Sequence, residues 1–375
     1  MKPRVLYVSK PIVPPWHDGS KNLVRDLARY VRAVAPRVLV DDRPGRAEAL
    51  AAPQAALDRV YSTAGGFSPG IMQNARVLKH LLEDRDAELL HFVFAPNTAS
   101  SGAAHAALLA RRLRGRRVPV VQTIASRPRE WESVAKLLFG DTVIALSEWS
   151  KRQLLQHAPK AKVVVIPPSA PVPPAISAEE RRALRRRYGL GDGPIVLYPG
   201  DYEVSSGADT VARATGKLHA LRKEISVVFA CRPKTPRAAE ARAAIEAKLV
   251  ADGVASATHH LGTVDDMAAL LQAVDVVAFP VDDLYGKVDL PLVLLEALAV
   301  GTPVIVAAGG PLEELVGARV IPPRDPQALA EAVLGALAAD DEAAREARRS
   351  AYRSNYTPEA VAAKHDALYL EMLKR

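Results

Sequence analysis

The sequence predicts two doubly wound α/β domains, and three observations carry that reading. Short apolar, β-branched runs alternate with helical patterns along most of the chain, and the alternation occurs twice over. That is the pattern of parallel sheets covered by helices on both faces. A proline-rich stretch separates the two series. The length, 375 residues, exceeds what one simple core organises at about 150 residues per domain.

The first series of strand-like runs lies at residues 5–8, 38–40, 89–93, 118–122, 142–145 and 163–166. The second lies at 195–198, 226–230, 259–261, 276–279, 304–307 and 318–321. Each is apolar on both faces, as central strands are. A helix is expected at 21–34, directly after the first strand. Residues 166–174 (IPPSAPVPP) hold five prolines in nine positions, and proline supplies no ladder N–H, so an extended linker is expected. The domains are therefore placed at 1–168 and 169–356. Ser177 opens a helix with Glu179 and Glu180 in its first turn, where acids suit the helix dipole. Thr357 and Pro358 are N-cap and first-turn residues for a last helix, 357–375.

Composition narrows the functional classes. Apolar residues are 49% and charged residues 25%, which excludes a disordered or fibrous chain. Aromatic residues are only 5%, too few for a stacking-based nucleic-acid binder. Cys231 is the only cysteine, so no internal disulfide forms and a reducing cytoplasm is expected. It is expected to be a small buried hydrophobe. No apolar run reaches the ~20 residues of a membrane span, and the N-terminal residues read as a strand rather than a signal peptide. The net charge of +8 is moderate, but residues 111–117 and 181–187 each carry five arginines and no acid. Such runs are solvated faces or patches for phosphate and anionic membrane surfaces.

Several chemistries lack their motif. No G-x-G-x-x-G follows either first strand, and there is no P-loop or G-x-S-x-G elbow. His259-His260 has no thiol or carboxylate at metal spacing. Asp84-Arg-Asp86 is a D-x-D placed before a strand, and reads as solvated surface. No metal or other cofactor is expected.

The positive signals sit at strand-to-helix turns. Gly19-Ser20 follows the first strand and enters a helix, where backbone amides can approach an anion. Lys21, Arg25, Arg29 and Arg32 form one basic stripe along that helix. In the second half, residues 290–310 (LPLVLLEALAVGTPVIVAAGG) hold a single acid, Glu296, inside a long apolar stretch. A buried carboxylate needs hydrogen bonds, and the diol of a ribose supplies them.

This stretch resembles the retaining, metal-independent glycosyltransferases of GT-B fold, family 4 in particular. The likeness extends to the strand end at His91, the SEWSKRQL segment at 147–154, the HLGTV turn at 260–264 and the VDVVAFP run at 274–280. It implies two Rossmann-like domains facing a cleft, with the last helix crossing back to the first domain. By position, Glu296 resembles the second acid of the family's E-x7-E motif, which holds the donor ribose, and Leu292 lies one turn before it. Gly309 and Gly310 resemble the loop near the donor phosphates. Val264 resembles the position whose backbone reads the nucleobase, and Gly19 with Ser20 the loop beside the diphosphate. His91 resembles the histidine near the acceptor.

The departures are specific. The first acid of E-x7-E is Val288, with Asp289 next to it as a substitute. Gly200 is followed by Asp201, and Ser206 precedes Gly207, where the family places Arg and Lys. A departing nucleoside diphosphate needs positive charge, and the replacement cations are Lys287, Arg232 and Lys234. No general base is identified. The resemblance implies a nucleotide-sugar donor, a saccharide or lipid-linked acceptor and peripheral membrane contact, with no nucleic acid. The lost acid and cations leave a second reading, a degenerate GT-B protein that binds a nucleotide or partner without catalysis. Phosphorolysis is a third.

Overall fold

The computed structural model describes residues 2–16, 18–43, 45, 48–62, 71–233 and 235–374. The chain divides into two compact units. Unit 1 comprises Met1–Ser169, Tyr285–Asp289 and Pro358–Arg375, and unit 2 comprises Ala170–Leu284 and Leu290–Thr357. The boundaries differ from the sequence division chiefly at 285–289. That segment, placed in the second domain by sequence, packs with unit 1.

In unit 1 the elements run β1 (Arg4–Val8), α1 (Gly19–Tyr30), β2 (Ala35–Asp41), β3 (Ala56–Tyr61), α2 (Ile71–Glu83), β4 (Leu89–Phe94), α3 (Thr98–Leu113), β5 (Val120–Ile124), β6 (Thr142–Ala145), α4 (Glu148–His157) and β7 (Val163–Val165). The described strands form one sheet in the order β3-β2-β1-β4-β5-β6-β7, parallel throughout. Val5 lies opposite both Pro36 and Leu89, so the order reverses between β1 and β4. Such a switch point is where open α/β sheets bind ligands, outside the carboxyl ends of the strands.

Two elements differ from expectation. Strand β3 carries Asp58 and Arg59 and is largely accessible, because it is an edge strand covered less than the central ones. Helix α1 stops at Tyr30 rather than at residue 34. Val31 is extended (φ −62°, ψ 140°), and the amides of Arg32 and Ala33 donate to Asp366 Oδ2 at 2.7 and 3.0 Å.

Asp84 corrects the reading of the D-x-D as surface. Its carboxylate is buried and accepts from Arg37 at 2.5 Å and from the Ala87 amide at 3.1 Å. Only Asp86 is exposed, opposite Arg4. Part of the 111–117 arginine run belongs to the same interior. Arg111 is 2% exposed and donates to the Leu81 and Asp84 carbonyls, while Arg114 and Arg116 reach the Leu82 carbonyl. These arginines cap the C-terminal end of α2, whose last carbonyls have no partner inside the helix.

Unit 2 opens with residues 170–177, free of regular structure, as the prolines require. Then follow α5 (Ala178–Arg187), β8 (Ile195–Tyr198), α6 (Gly207–Leu221), β9 (Ser226–Phe229), α7 (Ala238–Ala251), β10 (Thr258–His260), α8 (Met267–Ala273), β11 (Val276–Phe279), α9 (Leu292–Val300), β12 (Val304–Ala307), β13 (Arg319–Ile321), α10 (Pro326–Ala338) and α11 (Glu342–Asn355). The described strands order as β10-β9-β8-β11-β12-β13, again parallel. Ser177 caps α5 in a reciprocal capping box with Glu180. In the 181–187 run, Arg181 and Arg185 pair with Asp275 at 2.7 and 2.8 Å, so they secure α5 to its own sheet.

The last helix, α12 (Pro358–Leu373), returns to unit 1. It buries Val361, Ala362, Tyr369 and Met372 in the same cluster as Leu23, Val24 and Leu27 of α1.

Candidate functional site

In unit 2 the glycines after β8 have a steric cause. A Cβ at Gly200 would lie 2.2 Å from the Tyr198 ring and one at Gly207 2.7 Å from its hydroxyl. Tyr198 is fully buried and donates to the Asp201 carbonyl at 2.9 Å. Asp201 is also fully buried, and its carboxylate accepts from the Val204 amide at 3.1 Å. This position has no room for a solvated guanidinium, so the family's arginine is replaced by a turn-forming acid.

The N-terminus of α6 lies just beyond. Ser206 makes no side-chain cap bond; its amide donates instead to Asp282 Oδ1 at 2.9 Å. Asp282 in turn pairs with Arg324 at 2.6 Å. Burial would raise the Asp282 carboxyl, but the Ser206 amide and the Arg324 guanidinium hold it below the ordinary range. Arg324 was missed in the sequence because it lies 118 positions after Ser206 in an unremarkable loop; its one local signal, a left-handed backbone (φ 57°), is invisible there. It places a cation within one carboxylate of the residue where the family has lysine.

Glu296 sits on α9 but is half-buried rather than buried. Leu292, Glu296 and Val300 form the partly accessible stripe, at four-residue spacing, while Leu294, Leu295, Ala297 and Leu298 face the core. Gly309 and Gly310 follow β12, and a Cβ at either would meet no atom within 4 Å. Gly309 is left-handed (φ 94°), and its amide donates to the Glu313 carboxylate. Gly262 is left-handed (φ 66°), and Val264 after it is half-buried against the core. Gly262, Val264, Gly309 and Gly310 follow the carboxyl ends of β10 and β12.

Arg232 is exposed. Lys234 lies outside the described residues. Cys231 is 1% exposed, and burial pushes its thiol up to about 12, so it is not a nucleophile.

In unit 1 the predicted residues are occupied differently. Helix α1 is capped by Asp18, whose Oδ1 accepts from the Lys21 amide at 3.1 Å and the Ser20 hydroxyl at 2.5 Å. Burial works against this carboxylate, yet the Lys10 ammonium and these hydrogen bonds hold it low. Space beside Gly19 is filled by Val288, whose Cγ1 lies 2.7 Å from where a Cβ would stand. Val288 is 8% exposed within the unit 1 cluster. Asp289, proposed as the substitute acid, is 5% exposed and accepts from Ser147 Oγ at 2.5 Å. Ser147 also caps α4. Asp289 thus ties segment 285–289 to α4. Lys287 is half-buried, its Nζ shielded from solvent.

His91 is an internal residue, which corrects its reading as a group near the acceptor. It is fully buried, with Nδ1 2.7 Å from the Tyr369 hydroxyl and Nε2 2.7 Å from Thr123 Oγ1. Burial and neighbouring His365 push its pKa well down, so it stays neutral and links β4 to α12. The first half of the basic stripe is also internal, whereas Arg29 is half-buried and Arg32 is exposed. Lys21 and Arg25 are 4% and 8% exposed. Lys21 donates to the Pro15 carbonyl, Arg25 pairs with Asp26, and both lie over the Trp16 ring.

Among the described residues, no three His, Cys, Asp or Glu side chains group as a metal site would. No described helix is long and apolar enough to cross a membrane.

Residues 193–339 match the family model described as Glycosyl transferases group 1, and residues 17–171 match Glycosyltransferase Family 4. A D-inositol 3-phosphate glycosyltransferase of Xylanimonas cellulosilytica is 36% identical over 269 residues, covering 63% of this chain and 58% of that one. The match thus spans under two thirds of the curated relative. Among solved structures, a glycosyltransferase from Rickettsia africae superposes with TM-score 0.77 at 16% identity over 100% of this chain and 99% of its own. Anabaena HepE in complex with UDP and glucose superposes with TM-score 0.73 at 15% identity, covering 98% and 99%. With both halves matched by their models and the two sheets in place, the chain belongs to the family 4 glycosyltransferases and has the GT-B fold.

Proposed function

We propose that the chain transfers a sugar from a nucleotide-activated donor, held by unit 2, to a hydroxyl acceptor taken up by unit 1. The observation that carries this is Glu296, a carboxylate on the half-open stripe of an otherwise apolar helix. A ribose diol can donate hydrogen bonds to such a carboxylate. Support for the donor class comes from HepE, a structural neighbour that binds UDP and glucose. The amide end of α6, Arg324 and Arg232 would offset the diphosphate charge without a metal. By likeness to the family, the reaction retains configuration. The bond from the anomeric carbon to phosphate oxygen breaks, and the acceptor oxygen bonds on the same face. The acceptor proton passes to the leaving diphosphate.

Glu296→Gln tests it. Donor affinity falls by about 1.5–3 kcal/mol, the worth of a hydrogen bond to a charged group, with the melting temperature unchanged. Calorimetric titration with UDP-glucose and GDP-mannose beside a melting curve reads both. Normal nucleotide binding with a lowered melting temperature makes Glu296 structural and sinks the assignment. EDTA leaves turnover intact if no metal takes part.

Val288 in place of the first acid favours one other reading, a nucleotide-binding protein without catalysis. Slow release of nucleoside diphosphate from a bound donor separates the two. A peripheral contact with anionic membrane, in a reducing cytoplasm, completes the proposal.

A further inference from the structure

Unit 1 holds a recess of about 590 Å³ at the carboxyl ends of β1 to β4. It spans the point where the strand order reverses. Its volume lies within the range of about 300–1,000 Å³ typical of small-ligand sites.

The chemistry of its walls is uneven. Val8, Phe92 and Phe94 come from the strand ends, and Val77, Leu78 and Leu81 from α2, so the interior is largely apolar. The cations at its rim are committed within unit 1. Lys10 Nζ lies 2.8 Å from Asp18. Arg43 donates through Nε to Asp41 at 2.9 Å, and through a terminal nitrogen to the same carboxylate. Lys21 donates to the Pro15 carbonyl at 3.2 Å and sits over Trp16. Asn97 is spent on the Ser100 amide and the Ala95 carbonyl. Gln73 differs. The residue lines the recess, and its Oε1 is shielded from solvent with no hydrogen-bond partner.

A phosphate entering here would have to compete with Asp18 for Lys10, with Asp41 for Arg43 and with the Pro15 carbonyl for Lys21, and an isolated polyol would leave the apolar walls uncovered. A ligand that pairs an apolar group with a hydroxyl fits both. Burying that group contributes about 25 cal/mol per Å² of apolar surface, and Gln73 can accept from the hydroxyl.

We propose that the recess takes a hydroxyl compound bearing an aryl or alkyl group, in preference to a phosphorylated polyol. This rests on the reading of unit 1 as the acceptor side, where that compound is the acceptor. It differs from the substrate in the name of the D-inositol 3-phosphate relatives.

The test uses the full chain, with phenyl β-glucoside, octyl β-glucoside below its micelle concentration, and inositol 3-phosphate as probes. Binding is read by calorimetry, and transfer by nucleoside diphosphate release from UDP-glucose and GDP-mannose. The expected result is at least about tenfold tighter binding of the aryl or alkyl glucoside, lost in Leu78→Asp and reduced in the milder Val77→Ala. Melting curves confirm that the variants fold. Equal or tighter binding of inositol 3-phosphate overturns the inference, and its turnover would leave the transferase reading standing. Glucoside affinity unchanged in both folded variants also overturns it. Glucoside bound in the recess with no transfer from either donor keeps the recess assignment and removes the transferase reading.

Discussion

The two units share a strand order over six strands but treat the helix after their first strand in opposite ways. In unit 1 the N-terminus of α1 is filled from within. Asp18 takes the Lys21 amide, and Val288 covers Gly19. In unit 2 Ser206 leaves α6 without a side-chain cap, and the nearby charges, Asp282 and Arg324, form a pair reaching out to solvent. Arg324 is 76% exposed in its side chain. The same topology thus yields one helix end closed to anions and one that an anion could enter by displacing a carboxylate. Topology fixes where a ligand binds, and the residues at the turn decide which ligand.

The comparison can be broken most forcefully at Asp201. Its burial is complete, so Asp201→Arg would leave a charge without solvent or partner, costing about 3–5 kcal/mol. The loss should fall on unit 2 alone. All three tryptophans, Trp16, Trp131 and Trp149, lie in unit 1, so fluorescence reports that unit while circular dichroism reports both. The expected outcome is an early dichroism transition with the fluorescence transition unmoved. Activity gained with no loss of stability would mean that the turn can present a cation after all.

Unit 1 has its own weak point, at the α12 junction. Burial pushes the His365 pKa down to about 4, partly opposed by its bond to the Val361 carbonyl, and His91 moves the same way. An unfolded histidine titrates near 6.5. Between those values the unfolded chain binds the proton and the folded chain does not. Stability is therefore full above about pH 6.5 and falls as pH drops toward 4, by about 3 kcal/mol from His365 alone. Urea unfolding followed by tryptophan fluorescence at pH 7.5 and 5 measures the slope. His365→Leu should flatten it, and an unchanged slope would assign the acid sensitivity to other groups.

The sequence made most of this architecture readable, for a physical reason. Central parallel strands are apolar on both faces, and runs such as 195–198 and 276–279 match their strands residue for residue. Edge strand β3 escaped because Asp58 and Arg59 interrupt any apolar run. The early end of α1 escaped because Asp366, 334 positions from Arg32, takes the amides. Placement was legible where it depends on backbone and local pattern, as with Glu296 on its helix and Gly309-Gly310 after their strand. It was illegible where long-range pairing decides. His91, Lys21 and Arg25 look reactive in one dimension, and only tertiary burial shows them to be committed. Arg324 looks idle and is brought to the α6 end by the fold.

A smaller effect sharpens the contrast at α1. Gly19→Ala forces a methyl group against Val288, and overpacking of this kind costs about 1–3 kcal/mol. Val288→Ala makes a cavity by itself but should relieve the clash in the double variant. A double-mutant cycle followed by tryptophan fluorescence isolates that coupling. Additive effects would show that segment 285–289 shifts freely, and that α1 is less closed than its geometry indicates.

The smallest effect concerns membranes. Sequence offered two basic stretches in the first domain, and burial removes Lys21 and Arg25 from the first, leaving Arg29 half-buried and Arg32 exposed. From 111–117, Arg111, Arg114 and Arg116 reach α2 carbonyls, and Arg112 and Arg117 are exposed, as is Arg114. Beside them Leu109 and Leu113 are 58% and 80% exposed. Two cations flanking two leucines form a small amphipathic face at the C-terminal end of α3. A basic residue near an anionic surface contributes about 1 kcal/mol, so binding should be weak and lost with salt. The expected result is partial flotation with phosphatidylglycerol vesicles at low ionic strength, none with phosphatidylcholine, and none for Arg112→Glu with Arg117→Glu. This face lies where β5 begins, whereas the recess lies where β1 to β4 end, at the opposite end of the strands of the same parallel sheet. Membrane contact through α3 would therefore hold the protein near the bilayer without inserting a lipid into the recess. Vesicle binding that survives the double variant, or that phenyl β-glucoside abolishes, would place the contact at the recess edge instead.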